Sequence, residues 1–123
     1  MTSEASSTQS KVETLSKAEN MVEGQNLSFR EYTWYMAVQN GVDPIKYQKL
    51  IECESEWKLD VHGDENKAYG PLQFHEETFS SFAYQYGLLL DYKNPYDQVK
   101  LSTRMIKDGY LNHWSCAYIT GWL

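Results

Sequence analysis

The chain has 123 residues, with 11 Lys and Arg against 17 Asp and Glu, which gives a formal net charge of −6. This length suffices for one compact domain, and 41% hydrophobic residues can supply its core. The acidic balance argues against nucleic acid as a partner, because a nucleic-acid-binding surface needs a basic stripe. No stretch of the sequence approaches the roughly 20 apolar residues of a membrane span.

Residues 1–27 predict a flexible tail or linker, because they are polar and hold only scattered apolar side chains. A short helix over Lys11–Met21 is the alternative. An apolar segment of the signal-peptide type is absent from these residues. The expectation is therefore that the protein is either cytosolic or has had its targeting segment trimmed, so that Met1 is an artificial start. The folded domain is expected to span residues 28–123.

Local signals predict the first two helices. Ser28 and Glu31 have the spacing of a capping box, and Gly41 is a typical helix stop. The Asp-Pro pair at 43–44 places an N-cap before a proline in the first helical position. The second helix is expected to run to about Trp57.

The rest of the chain predicts two more helices around an irregular segment. Residues 59–74 combine turn formers with strand-like apolar positions, which indicates an irregular hairpin or a long loop. Helices are expected over 76–86 and from the Asn-Pro pair at 94–95 to near Gly109. A short element over 114–122 follows. The predicted fold class is α+β, mostly helical, with a small β-hairpin or loop insertion.

The second helix has a carboxylate on its apolar face. Its apolar stripe consists of Tyr47, Leu50 and Ile51. Glu54 completes the i, i+3, i+4, i+7 pattern, whereas Glu52 and Glu56 lie on the opposite side. Burial would raise the pKa of the Glu54 carboxyl, and a carboxylic acid that is neutral near pH 7 suits general acid catalysis. Alternatively, Glu54 reaches solvent at the helix end or pairs with Lys58.

The segment after this helix has features of a sugar-binding groove. It ends in the sequence from Ala68 to Phe74, in which Gly70 allows close backbone approach and Gln73 offers a donor and an acceptor. The 10 Tyr and 4 Trp residues supply flat apolar faces with polar tips. With Glu54, these features suit a polysaccharide groove.

These residues resemble a known pattern. Ile51-Glu52-Cys53-Glu54-Ser55, followed by the segments 69–74 and 78–79, resembles the soluble lytic transglycosylase family of the lysozyme-like superfamily. The cysteine before the glutamate, together with Trp114-Ser115-Cys116, resembles its resuscitation-promoting-factor branch most closely.

The resemblance implies a lysozyme-like fold and an enzyme that acts on peptidoglycan without a cofactor or a metal. Glu54 would be the single acid/base, which protonates the β-1,4 glycosidic oxygen between N-acetylmuramic acid and N-acetylglucosamine. The muramyl 6-hydroxyl would then close a 1,6-anhydro ring, with no need for a second carboxylate. The residues assigned to substrate binding are Ser55, Tyr69, Gln73, Thr78, Trp114 and Tyr118.

The chain departs from the family pattern at three places. Pro71 follows Gly70, where the family more often has Gly or a Leu-type residue. The pair at 56–57, Glu-Trp, replaces small residues or glycine. The family's Tyr-Asn pair near the end has no clear counterpart, and Tyr118 is the nearest candidate.

The two cysteines have two interpretations. In an intracellular chain, Cys53 and Cys116 would be buried thiols. The resemblance instead implies a disulfide between them, which needs an oxidising compartment. It therefore implies a secreted or cell-wall-associated monomer whose partner is the peptidoglycan strand.

Alternatives to lytic cleavage stay open. A hydrolase would place a second carboxylate across from Glu54, and the candidates are Asp60, Asp64 and Glu65. Ordinary turn chemistry is the preferred interpretation of all three. A non-catalytic cell-wall sugar-binding module is a further alternative. The histidines lack the spacing of metal ligands and are expected at the surface; they are His62, His75 and His113.

Overall fold

The computed structural model of this protein describes residues 27–123, which form an α+β fold. The predicted tail lies outside the described residues apart from Leu27, as does the alternative helix over Lys11–Met21. The elements in chain order are α1 (Phe29–Gln39), α2 (Pro44–Ser55), β1 (His62–Gly63), β2 (Ala68–Tyr69), β3 (Phe74–His75), α3 (Glu76–Gln85), α4 (Pro95–Lys107), a 3-10 turn (Leu111–His113) and α5 (Ser115–Ile119).

The predicted helix starts are confirmed. The Ser28 hydroxyl accepts a hydrogen bond from the Glu31 backbone N–H at 3.1 Å, and the Glu31 carboxylate accepts one from the Ser28 N–H at 3.0 Å. Asp43 and Asn94 cap α2 and α4 in the same way, each just before a proline. These signals are local, so the sequence alone suffices to place them.

The prediction that α2 runs to about Trp57 is wrong, because the helix ends at Ser55. Glu56 and Trp57 both adopt left-handed conformations, with φ of 55° and 65°. Non-glycine residues adopt this conformation at a cost. The Arg30 guanidinium lies 4.0 Å from the centre of the Trp57 ring, and Phe29 packs on that ring edge-to-face. These contacts help to hold the irregular exit from α2.

The segment over 59–74 forms a small antiparallel sheet in the order β1-β2-β3. His62 pairs with Tyr69 in the first ladder, and Tyr69 pairs with Phe74 in the second. The side chains of adjacent residues in a strand point to opposite faces. Ala68 is accordingly buried, whereas Tyr69 lies on the other face against Tyr92.

The hydrophobic core lies where α1, α2, α4 and α5 meet. Tyr47, Leu50 and Ile51 of the α2 stripe are fully buried in it. The Tyr47 hydroxyl lies 2.6 Å from the Ser102 hydroxyl, so the one polar atom of this buried ring is satisfied. The apolar face of α2 is thus fixed by packing, and Glu54 continues the line of this face.

A disulfide joins Cys53 of α2 to Cys116 of α5, with the two Cα atoms 6.0 Å apart. The bridge closes a loop of 63 positions and ties the C-terminal segment to the end of α2. It therefore fixes two elements next to Glu54. Over residues 27–123, no helix combines the length and apolar character that crossing a bilayer requires.

Candidate active site

An open cleft of about 530 Å³ lies between the end of α2, the small sheet and the start of α5. Its lining combines carboxylates, imidazoles, hydroxyls, an amide and aromatic rings. The lining residues are Glu54, Asp64, Ala68, Gln73, Phe74, His75, Thr78, His113, Trp114 and Ser115. The volume falls in the range of small-molecule binding clefts.

Glu54 is the half-buried acid of this cleft. Burial raises the pKa of its carboxyl from 4.5 to about 7, and a backbone hydrogen bond from Cys116 partly opposes this shift. Since desolvation disfavours the charged form, the carboxyl exists in comparable protonated and ionised populations near neutral pH. Such a group can both give and take a proton.

The alternative in which Glu54 pairs with Lys58 does not hold. The Lys58 ammonium lies 3.4 Å from the Glu56 carboxylate, and both side chains are largely exposed. Among the ion pairs between described residues, none involves Glu54. Glu52 and Glu56 are exposed, as the helix periodicity predicts. Within residues 27–123, no cation therefore pairs with the Glu54 carboxyl to keep it ionised.

The loop before β3 is held by two glutamine side chains. Gln73, which lines the cleft, donates from Nε2 to the carbonyl oxygens of Val61 at 3.0 Å and Gly70 at 2.8 Å. A Cβ atom at Gly63 would overlap Gln73 Oε1, so a larger residue there would require the Gln73 amide to shift. Much of the hydrogen-bonding capacity of Gln73 is thus committed to the loop.

Gln98 of α4 holds the same loop from beneath and is fully buried. Its Oε1 accepts from the Leu72 N–H at 3.1 Å, and its Nε2 donates to the carbonyls of Tyr69 at 3.0 Å and Tyr92 at 3.1 Å. A Cβ atom at Gly70 would come within 2.5 Å of Gln98, and Gly70 has a φ of +87°. Glycine is therefore required at position 70 for two reasons, the close approach of Gln98 and the positive φ.

Left-handed backbone conformations concentrate beside the cleft. Every non-glycine residue with positive φ in the described part of the chain falls between 56 and 73; they are Glu56, Trp57, Asp64, Glu65, Asn66 and Gln73. Asp64 and Gln73 line the cleft. Such conformations persist only where the surroundings enforce them, and they cluster at functional sites.

An imidazole and a carboxylate are paired within the cleft. His75 Nε2 lies 2.7 Å from Asp64 Oδ2, and about half of each side chain is exposed. His113 also lines the cleft, and burial together with the neighbouring His75 lowers its pKa. As expected, His62, His75 and His113 are all exposed at the surface, and two of them, His75 and His113, also line the cleft.

Aromatic side chains form one wall. Trp114 is buried, and its indole N–H donates to the Leu72 carbonyl at 3.0 Å. Phe74 packs edge-to-face on Trp114 with ring centres 5.6 Å apart. Because Leu72 is also the residue that Gln98 anchors, the wall and the loop are one connected structure.

The structure brings four of the predicted site residues into the cleft, namely Glu54, Gln73, Thr78 and Trp114. Ser55 is buried behind it, with its hydroxyl donating to the Ile51 carbonyl at 3.1 Å. Tyr69 lies outside the cleft lining, beneath the Lys93 ammonium at 4.2 Å. Tyr118 is 58% exposed on α5, also outside the lining.

The sequence interpretation missed Gln98, His75 and His113. Gln98 shares a helical stripe with Leu101 and Met105 at i, i+3 and i+7, which is a signal of burial that could have revealed it. The two histidines carry no such signal, since their places depend on how distant segments meet. Within the described range, no three His, Cys, Asp or Glu side chains are grouped as a metal site.

Comparison with known proteins adds no relative: no family model matches the chain, and no curated protein or solved structure matches it.

Proposed function

We propose that this protein is a peptidoglycan-cleaving glycosidase in which Glu54 is the general acid. The observation that carries the proposal is the half-buried Glu54 carboxyl, with a pKa raised to about 7, in an open cleft lined by hydroxyl, amide and aromatic groups. A carboxyl that is protonated near neutral pH can protonate a glycosidic oxygen, which makes the departing sugar a better leaving group.

The substrate and the lysozyme-like fold are proposed from the sequence resemblance. The α+β architecture, with a small sheet after the helix that carries Glu54, is compatible with it. The family commonly has small residues or glycine after Glu-Ser, and the backbone at 56–57 takes the left-handed conformation that glycine adopts readily. The Cys53–Cys116 disulfide is consistent with an oxidising compartment, so we propose a secreted or cell-wall-associated monomer.

The proposed reaction is lytic transglycosylation. Glu54 gives its proton to the oxygen between N-acetylmuramic acid and N-acetylglucosamine, and the C1–O bond breaks with its electron pair on that oxygen. The muramyl 6-hydroxyl attacks C1, and the Glu54 carboxylate takes the hydroxyl proton. Hydrolysis is the second candidate, because Asp64 places another carboxylate in the same cleft.

The test is Glu54→Gln in a peptidoglycan-degradation assay. The amide keeps the shape and loses the titratable proton, so the rate should fall by about 10³-fold. Glu52→Gln is the matched control, because Glu52 is exposed on the same helix. Unchanged cleavage by the folded Glu54→Gln variant would sink the assignment. Sugar binding without cleavage by the unaltered protein would identify a non-catalytic sugar-binding module instead.

A further inference from the structure

A second groove, of about 380 Å³, lies between α3 and the segment over 88–93 that follows it. Phe79 and Ala83 of α3 line this groove and are buried, so they form part of its floor. Its edges expose apolar side chains, since Tyr84 is 88% exposed and Leu89 is completely exposed. Exposed apolar side chains that cluster around a concave surface are typical of a binding site.

The groove adjoins the cleft that contains Glu54. Phe79 of the groove packs edge-to-face on Phe74 of the cleft, with ring centres 5.3 Å apart. The hydroxyl of Tyr92, another groove residue, donates to the Phe74 carbonyl at 2.7 Å. The first turn of α3 separates the two sites, because Thr78 lines the cleft and Glu76 lines the groove. A helix is about 10–12 Å across, a distance that about four extended residues of a peptide can span.

The groove has two carboxylates that no cation neutralises within residues 27–123. Glu76 and Asp91 line it and are exposed, and neither takes part in a described ion pair. The basic residue of the lining is Lys93, whose ammonium lies 4.2 Å from the centre of the Tyr69 ring. The Lys93 backbone N–H donates to Asp91 Oδ1 at 2.9 Å and so holds that carboxylate in place. An apolar floor beside fixed negative charge suits a ligand that combines methyl groups with a cation.

We propose that this groove binds the stem peptide of peptidoglycan, with its floor against the alanine methyl groups and with Glu76 and Asp91 around the side-chain ammonium of the diamino acid. The inference rests on the proposed function, which makes peptidoglycan the substrate. The stem peptide is attached to the lactyl group of muramic acid. A muramyl residue in the cleft can therefore extend its peptide across the first turn of α3 into the groove.

The charge of the groove makes it selective for one form of the peptide. Cross-linking of peptidoglycan converts the side-chain amino group of the diamino acid into an amide, which is uncharged. Only a stem that is not cross-linked keeps the ammonium that Glu76 and Asp91 attract. The groove therefore directs cleavage towards strands whose stems are free.

The first test is a calorimetric titration of the full chain with a free stem peptide that contains lysine. Acetylation of the lysine amino group mimics the cross-link and should weaken binding about 5-fold, the effect of an exposed ion pair. Glu76→Gln combined with Asp91→Asn should bind the two peptides equally. Glu77→Gln combined with Asp60→Asn is the matched control, because both residues are exposed and lie outside the groove lining. Equal affinity of the unaltered protein for the two peptides would overturn the proposal.

Leu89→Ser tests the apolar part of the groove, and its complete exposure means that the fold should tolerate the change. The ratio of kcat/KM for peptide-bearing strands to that for peptide-free glycan should fall about 5-fold, because the variant loses apolar contact with the peptide. Ile45→Ser is the matched control, since Ile45 is 56% exposed on α2 and outside the groove. Sedimentation velocity tests the other occupant: a dimer of the unaltered protein that Leu89→Ser dissociates would identify a second copy and overturn the proposal.

The outcomes are separable from those of the proposed function, because binding of a free peptide needs no cleavage. Selective peptide binding together with full activity of Glu54→Gln would support the groove and overturn the general acid. An inactive Glu54→Gln together with equal binding of the two peptides would leave the general acid in place and overturn the groove.

Discussion

The region beneath the loop over 59–74 contains a buried polar side chain, and the cleft beside this loop contains a half-buried one. The two side chains differ in their hydrogen-bond partners. Gln98 lies under the loop, fully buried, with backbone partners for both ends of its amide. Glu54 lies in the cleft with a backbone hydrogen bond from Cys116 and no cation beside it among the described ion pairs. A buried polar group whose hydrogen bonds are all made stabilises the fold. A half-buried acid without a neighbouring cation instead has a perturbed pKa, which is typical of functional sites.

The largest expected effect comes from the disulfide, which ties both regions together. Replacing both cysteines, Cys53→Ala with Cys116→Ala, should lower the free energy of unfolding by about 4 kcal/mol through the lost constraint on the unfolded chain. It should also raise the pKa of Glu54, because the Cys116 N–H that favours the carboxylate is no longer held in place. Denaturant unfolding and the pH profile of cleavage measure the two effects. Unfolding curves that superimpose with those of the parent would contradict this expectation.

Gln98→Leu should lower the free energy of unfolding by about 3 kcal/mol at every pH, because the buried Leu72 N–H and two part-buried carbonyls lose their amide partner. Urea unfolding is the measurement. Gln85→Leu is the control, since Gln85 is exposed at the end of α3. An equal decrease in the free energy of unfolding in both variants would contradict the role of Gln98 in holding the loop.

Glu54→Gln should raise the free energy of unfolding, by less than Gln98→Leu lowers it. The pKa of Glu54 is higher in the folded chain than in an unfolded one, so folding favours the protonated acid and stability falls as pH rises from about 4.5 to about 7. With allowance for solvent screening in the open cleft, the glutamine variant should be more stable by about 1–2 kcal/mol above pH 7. It should match the parent below pH 4.5. A gain that does not depend on pH would argue against a titrating Glu54.

How much the sequence predicts follows from how local each signal is. The caps at Ser28, Asp43 and Asn94 are short-range and were placed correctly. The periodicity that puts Glu54 on the apolar face of α2 is also local, and the neighbours on that stripe are buried. The residues at 56–57 adopt left-handed conformations, yet neither is glycine. The sequence therefore gives no signal for the end of α2 at Ser55, and the predicted end lies two residues too late.

The cleft itself depends on distant segments that no local pattern reports. His75, His113 and Asp64 meet through the β-ladder register and the packing of the C-terminal segment. Strand alternation sends Ala68 into the cleft and Tyr69 to the other face, so the aromatic residue that the resemblance favours lies outside the lining. The resemblance also implied the disulfide, which the structure contains.

The central claim is that Glu54 is an acid held partly protonated at neutral pH. A carbon-13 NMR titration of the Glu54 carboxyl, assigned by comparison with the Glu54→Gln variant, measures its pKa directly. The midpoint of this titration should lie near 7. A Glu54 midpoint close to 4.5 would contradict the account, because the carboxyl would then be ionised at neutral pH and unable to supply the proton.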